Sequence, residues 1–479
     1  MEFPDLDYLF QPESIAVAGV KNADSSFNPG LMFLEALQDF GYPGRMYPLN
    51  PRGGEVKGLK VYKTLRDIPD HVDYVISAVP AKNAPRLVED AAARGVKIIH
   101  FFTSGFSETG NTEGTKLQEE IVRKARELGV RIIGPNCLGV YCPKGGMTFN
   151  ANASKESGSV GMISQSGGNA SHAIAEGNSR GVRFSKVISM GNGVDLNESD
   201  FMEYFAHDND TEIITAYIEG IKDGPRFLRA VRAAAEIKPV IIFKVGVSEV
   251  GADIAVSHTT ALAGSTQVWE GLLKQAGAVQ VHSIEEMIDM TLAFLHMSPP
   301  TGENAAIAGI GGGASVILAD EFSREGLSLP RFSVKTLEQL IGLYSSEAGR
   351  IFKNPIDINN FESPDTFLKT IKMIEEEKNV DFLVLHVAFD HFGLMNEEIK
   401  ELMIGVYQSL IIDIKNKVNK PLAVLLHSFA SDKTKEMARE IGETLTKEGF
   451  PVFLSIRSAA LALKRYIQYQ KRLQPGGVA

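Results

Sequence analysis

Cysteine is almost missing from this chain: Cys137 and Cys142 are the only two in 479 residues. That excludes a disulfide framework, and their spacing suits no zinc knuckle. Basic residues are in deficit, 49 Lys and Arg against 59 Asp and Glu, for a formal net charge of −10. Such a balance disfavours a nucleic-acid partner and favours solubility. Long apolar runs are lacking as well. An apolar, uncharged stretch, AAIAGIGGGASVILA at 305–319, contains four glycines and falls short of a membrane span. The opening MEFPDLDYLF is acidic, without the basic region of a secretion signal. No GKS or GKT occurs, so a Walker-type phosphate loop is excluded. These absences describe a cytoplasmic, soluble protein with no membrane partner.

What is present is ordinary globular material, 44% apolar and 23% charged, long enough for about three domains at roughly 150 residues each. Short β-rich apolar runs alternate with Gly or Ser turns and amphipathic stretches. SIAVAG (14–19), DYVISAV (73–79), KIIHFF (97–102) and RIIG (131–134) read as strands of one series, with crossover helices such as FLEALQDFG (33–41) and AAARGV (91–96). A second series runs through SVGMIS (159–164), IITAYIE (213–219) and KPVIIFKVG (238–246). A third runs through AAIAGIG (305–311), DFLVLHVAF (381–389), PLAVLLHSF (421–429) and PVFLSI (451–456). The alternation implies right-handed βαβ units and parallel sheets, an α/β fold class. MSPPTGEN (297–304) has linker composition, and 141–158 reads as another boundary. The expected domains are 1–145, 146–298 and 303–479.

The second and third series open alike. VGMISQSGGNASHAI with NSRGV, and AAIAGIGGGASVILA with FSREGL, are each a strand, a glycine pair, a helix and a Ser-Arg-Gly turn, about 145 residues apart. They predict two related doubly wound domains, each with a helix start able to offer backbone N–H groups to an anion.

The first series invites a dinucleotide reading that its details oppose. After Gly19 the chain runs VKNADSSFNPG, which is no G-x-G-x-x-G, and YPLNPRGG supplies Asn50 and Arg52 where an NAD site needs an acid. Arg52 with Lys21 suits a phosphorylated adenine nucleotide, NADP or coenzyme A. An NADP-linked oxidoreductase is a rival, against which the missing glycine fingerprint counts.

AVSHTTALAGS (255–265) sets His258 among small and hydroxyl side chains. It has room for a phosphoryl group on its ring, or it is an ordinary loop histidine. Neutral imidazole is a nucleophile near neutrality, with an unperturbed pKa of about 6.5.

YLFQPESIAVAG, GYPGRMYPLNPRGGEVKGLKVY, FTSGFSETG and GVRIIGPNCLGV resemble the CoA-binding domain of the ADP-forming acyl-CoA synthetases, a family similar to succinyl-CoA synthetase. VGMISQSGG, FSKVISMGNGVDLNESD, YIEGIKDGPRFL, SHTTALAGS, GIGGGASVILADEFSREGLSLP and KNPIDI continue the likeness through the chain in the expected order. The resemblance implies an N-terminal Rossmann-like CoA-binding domain followed by two flavodoxin-like doubly wound domains. It further implies the α subunit of an acid–thiol ligase that interconverts carboxylate, CoA and ATP with acyl-CoA, ADP and phosphate. No stretch is left for an ATP-grasp domain, so ATP, ADP and magnesium are expected on a separate ATP-grasp β subunit, in an α2β2 hetero-oligomer acting on a small carboxylic acid.

In that likeness His258 stands at the phosphohistidine and Glu219 at the carboxylate that orients its ring. Ser166, Gly167, Gly168 and Asn169, with Gly312, Gly313 and Ala314, would face phosphate or acyl group. Ser257, Thr259 and Thr260 would add hydroxyls. CoA would lie along Gly19, Val20 and Lys21, Asn50, Pro51 and Arg52, Val79 and Pro80, Thr103, Ser104 and Gly105, with its pantetheine near Asn136 and Cys137. Cys137 is expected to pack or touch pantetheine, not to act as a nucleophile.

Several residues depart from the family's pattern. Val247 and Asp253 stand where basic residues are usual, Thr260 and Thr266 replace Gly and Asp, and Gly168 and Asn169 replace Ala and Leu. The alternative is therefore a CoA- or acyl-CoA-binding subunit or sensor that has lost phosphoryl transfer. His386, Asp390 and His391 in LHVAFDHFG are spaced too loosely for a metal and read as solvent-facing loop histidines, so no metal site is expected on this chain.

Overall fold

The computed structural model describes residues 6–21, 28–248, 251, 266–310, 312–358, 363–390, 397–429 and 431–473. Its core is three mainly parallel sheets. In the first, the strand order is Arg45–Leu49, Ser14–Ala18, Tyr74–Ser77, Ile98–Phe101, Arg131–Ile133, with every pair parallel. The Ser14–Ala18 and Tyr74–Ser77 strands are buried along their whole length. Their alternate residues feed two different cores, Ile15, Val17, Tyr74 and Ile76 on one face and Ala16, Ala18 and Val75 on the other. Continuous apolar runs are therefore required, as the sequence had them.

The second sheet runs Val279–Val281, Val240–Lys244, Ile213–Ile218, Val160–Ser164, Phe184–Ser189, with Gly139–Tyr141 antiparallel at the edge. The third runs Arg350–Ile351, Ile356–Ile358, Ala305–Ile310, Phe382–Ala388, Leu422–His427, Val452–Phe453, again with its first strand antiparallel at the edge. Taken in chain order, the parallel strands of all three sheets follow 2-1-3-4-5. The order reverses beside the first strand of each, the place where open α/β sheets bind ligands. The likeness predicted from the two strand–glycine–helix openings extends to the whole strand order of the second and third sheets.

Helix starts carry their own caps. The Asn28 side chain accepts from the Leu31 N–H at 3.2 Å to begin Pro29–Phe40, and Asp223 accepts from Arg226 N–H at 2.9 Å to begin Gly224–Ala235. The crossover expected at 91–96 is the end of a longer helix, Ala84–Ala93. By packing, Met1–Asn178 with Arg183–Met287 forms one compact unit, and Ser179–Val182 with Ile288–Ala479 a second. Two sheets thus share the first unit.

One expectation is overturned. His386 lies inside the Phe382–Ala388 strand and is 3% exposed, not solvent-facing. Its Nε2 is 2.7 Å from Nδ1 of His427, and the rings stack with centroids 4.6 Å apart. Strand pairing buries what loop-like polarity suggested was outside. His391 lies outside the described residues. Among the described residues there is no cluster of three or more metal-ligating side chains, and no helix is long and apolar enough to cross a membrane.

Candidate functional site

The C-terminal ends of the first sheet's strands are tied to one another by specific bonds. Gly19 and Val20 donate their N–H groups to the Leu49 carbonyl, and the Asn50 amide returns a bond to the Val20 carbonyl at 2.6 Å. The Thr103 hydroxyl reaches the carbonyls of Ser77 at 3.1 Å and Val79 at 2.7 Å, and Asn136 donates to the Thr103 carbonyl at 3.0 Å. Gly19, Val20, Asn50, Val79, Thr103 and Asn136 are thereby brought onto one rim. Gly19 is required there: at φ +95°, a Cβ would lie 2.6 Å from the Ala78 carbonyl oxygen. Lys21 donates its N–H to the Asn28 side chain, while Pro51, Arg52, Pro80 and Ser104 are exposed at the same rim. The N–H groups of Gly105 and Phe106 are already taken by the Glu108 carboxylate, at 2.6 and 3.0 Å. Gly105 therefore has no free N–H to turn toward a phosphate.

Cys137 is 4% exposed and its thiol points to the Phe101 carbonyl, 3.6 Å away. Burial pushes that thiol well above its usual range, the environment of a packed thiol and not of a reactive thiolate. The turn that carries it joins the first two sheets. Asn192 and Val194 donate to the carbonyls of Pro135 and Gly134, and the Leu138 side chain lies where a Cβ on Gly167 would fall, 2.7 Å away. Only a glycine lets the helix Gly167–Ser179 start against that turn.

At this helix start Ser166 acts as the cap. Its Oγ accepts from the Asn169 N–H at 3.3 Å and from the Asn169 side-chain amide at 3.1 Å. Ser166 and Asn169 are thus engaged with each other. Gly167 and Gly168 open the first turn, so their N–H groups have no intrahelical carbonyl four residues back to take them. Gly312, Gly313 and Ala314 begin the helix Gly312–Arg324 in the second compact unit.

Glu219 follows the strand Ile213–Ile218 and is half-buried. Two residues not singled out in the sequence hold its backbone. The Gln165 side-chain carbonyl accepts from Glu219 N–H at 2.6 Å and Gly220 N–H at 2.9 Å, and its amide donates to the Gly220 carbonyl at 2.7 Å. From the other side, the Lys244 ammonium donates to the Glu219 carbonyl at 2.7 Å and to the Val245 carbonyl. Lys244 is 2% exposed, and burial lowers its pKa to about 8 against a raising contribution from Glu219. Glu198, 5% exposed beneath Gln165, is pushed up by burial. A lysine and a glutamine at strand ends look like surface residues in a sequence, so only their neighbours reveal the role. His258, Ser257, Thr259 and Thr260, and Asp253, lie outside the described residues. Val247 is half-buried and packs against the apolar core.

Comparison with known proteins fits this arrangement. Residues 13–143 match the family described as a CoA binding domain, and residues 157–294 match the succinyl-CoA ligase like flavodoxin domain. The chain is 34% identical to the acetate–CoA ligase [ADP-forming] II subunit alpha of Pyrococcus furiosus, over 98% of this chain and 99% of that one. It is 35% identical to the acetate–CoA ligase [ADP-forming] I of Archaeoglobus fulgidus over 79% of this chain, a match spanning 54% of that longer protein. Among solved structures, a dinucleotide forming acetyl-coenzyme A synthetase 1 of Ca. Korarchaeum cryptofilum, in complex with phosphate and ADP, superposes with a TM-score of 0.80 at 30% identity over 97% of each chain. The chain belongs to the family of ADP-forming acetate–CoA ligase α subunits.

Proposed function

We propose that the chain is the CoA-binding, phosphoryl-carrying subunit of an ADP-forming acyl-CoA synthetase. Phosphate attacks the acyl carbon of acyl-CoA, the C–S bond breaks, and CoA leaves as the thiolate. The acyl phosphate then gives its phosphoryl group to a ring nitrogen of His258, releasing the carboxylate as its O–P bond breaks. A β subunit with an ATP-grasp nucleotide site, carrying ADP and magnesium, takes the phosphoryl group onward to ATP. The reverse sequence activates the acid. Little covalent work falls to the protein in phosphoryl transfer, so positioning and charge neutralisation matter most.

In this reading CoA lies on the rim formed by Gly19, Val20, Asn50, Val79 and Thr103, with Lys21 and Arg52 toward its phosphates. The N–H groups of Gly167 and Gly168 face the phosphate, and Glu219 bonds the second ring nitrogen of His258 to orient it and to support the charge that builds during attack. The observation that carries this reading is the double anchorage of Glu219 beside a glycine helix start, in the same compact unit as the CoA-domain rim. Incubation of the chain and its β subunit with γ-labelled ATP tests it. Label is expected on the wild type and absent from His258→Ala, whereas label retained on that variant removes His258 from the mechanism.

The packing of Val247, where the family carries a basic residue, favours one second reading: a CoA- or acyl-CoA-binding sensor without phosphoryl transfer. It expects tight CoA binding and no label on either protein form.

A further inference from the structure

Lys244 is a charge placed where charge is expensive. The residue is 2% exposed at the end of the strand Val240–Lys244, and a desolvated cation is strongly unfavourable unless its surroundings compensate. Three groups do so. The carbonyl oxygens of Glu219 and Val245 accept its hydrogens, and the Trp269 ring lies under it with its centroid 5.0 Å from Nζ. The two carbonyls belong to segments leaving adjacent parallel strands, Ile213–Ile218 and Val240–Lys244. One of those segments is the backbone of Glu219 itself. The other begins, at Val245, the sequence that reaches His258 thirteen residues later.

We propose that Lys244 is a positioning residue for phosphoryl transfer, its buried ammonium tying the Glu219 and Val245 carbonyls so that the Glu219 carboxylate is presented at a fixed place. This rests on the assignment of Glu219 and His258 made above. The lysine touches no substrate; it acts through the Glu219 backbone, opposite the grip of Gln165. A neutral amine donates more weakly and loses its attraction to both carbonyls and to the indole ring. With a pKa lowered to about 8, Lys244 keeps the tie intact below that pH and slackens it above. Among the described residues, Glu219 is the charged group acting on Lys244, and its carboxylate favours the ammonium.

The chain has a single tryptophan, so Trp269 emission reports the cation above it. In the wild type, emission is expected to titrate with a midpoint near pH 8, and Lys244→Met is expected to abolish that transition. With the β subunit present, Lys244→Met is expected to lower kcat at least tenfold at pH 7 with KM for CoA within twofold. Lys244→Arg is expected to restore most of kcat and to remove the fall in rate above pH 8, because guanidinium stays charged. An active wild-type pair whose Lys244→Met variant keeps the same kcat and the same alkaline fall overturns the proposal alone. A wild-type pair that forms no phosphohistidine overturns the parent assignment and this proposal with it. Should Lys244→Met fail to fold, Lys244→Arg decides: an unchanged alkaline fall in that variant rules Lys244 out.

Discussion

Gln165 holds Glu219 by its backbone: the amide oxygen of one side chain accepts the N–H of the other residue at 2.6 Å, across 54 positions of sequence. The same oxygen takes Gly220 N–H, and the amide nitrogen donates to the Gly220 carbonyl. The end of the strand Ile213–Ile218 is thus held by three bonds from the residue that follows the neighbouring strand.

Truncating that side chain removes all three bonds. Gln165→Ala is expected to cost about 1–3 kcal/mol of stability, the penalty for partly buried backbone groups left unpaired. It is also expected to lower kcat at least tenfold while CoA affinity, set at the other sheet, stays within twofold. Denaturant unfolding, calorimetric titration of CoA and steady-state kinetics check the three parts separately. An equal loss in CoA affinity would show that the rim and the Glu219 turn are not separable.

Gly19→Ala tests the rim. Gly19 and Gly41 have nearly the same backbone, φ +95° and +91°, yet an added Cβ meets the Ala78 carbonyl oxygen at 2.6 Å in the first case and nothing within 4 Å in the second. Gly41→Ala is expected to cost only the strain of a positive φ, about 1 kcal/mol. Gly19→Ala should cost about 2 kcal/mol more and weaken CoA binding more than tenfold, since the strand ends must part. Equal effects from the two substitutions would mean that the close approach plays no part.

Acid sensitivity should trace in part to His100. Its Nε2 donates to the Cys137 carbonyl at 3.1 Å, its residue is 1% exposed, and burial drives its pKa from 6.5 to about 4. The unfolded chain therefore takes up a proton below pH 6.5 that the folded chain refuses. Stability from the neutral ring is present in full above pH 6.5 and is lost as the pH falls toward 4, by about 3 kcal/mol at most. In His100→Leu the stability curve between pH 6.5 and 4 should be flatter than in the wild type. Parallel curves would assign the acid loss elsewhere, for example to His296, which is lowered likewise.

The two Ser-Arg-Gly turns offer a contrast between look-alike sequences. Arg180 is 5% exposed and donates to Asp289 at 2.8 Å and to the Val452 carbonyl at 2.8 Å. Arg324 is exposed and pairs with Glu321 within its own helix. Arg180→Ala is expected to destabilise by about 3–5 kcal/mol, because the buried Asp289 carboxylate loses the guanidinium charge beside it. Arg324→Ala should cost less than about 1 kcal/mol. Adding Asp289→Ala to Arg180→Ala should recover part of the loss, as thermal unfolding of the four proteins would measure.

Much of this protein was written locally. Apolar runs such as IAVA and VGMIS, glycine pairs after them and amphipathic stretches beyond them are short-range patterns, and they mark strands, turns and helices wherever the chain later goes. The α/β class, the strand positions and the duplicated openings of the second and third sheets followed from them. The order of motifs along the chain was enough to indicate the family. Tertiary packing alone decided which strand ends meet. It set Gln165 and Lys244 on either side of Glu219, stacked His386 on His427 inside a sheet, and buried Arg180 while leaving Arg324 in water. Those outcomes depend on neighbours tens or hundreds of residues away, whose burial fixes the charge and hydrogen bonding of a polar side chain, and no local pattern encodes that environment.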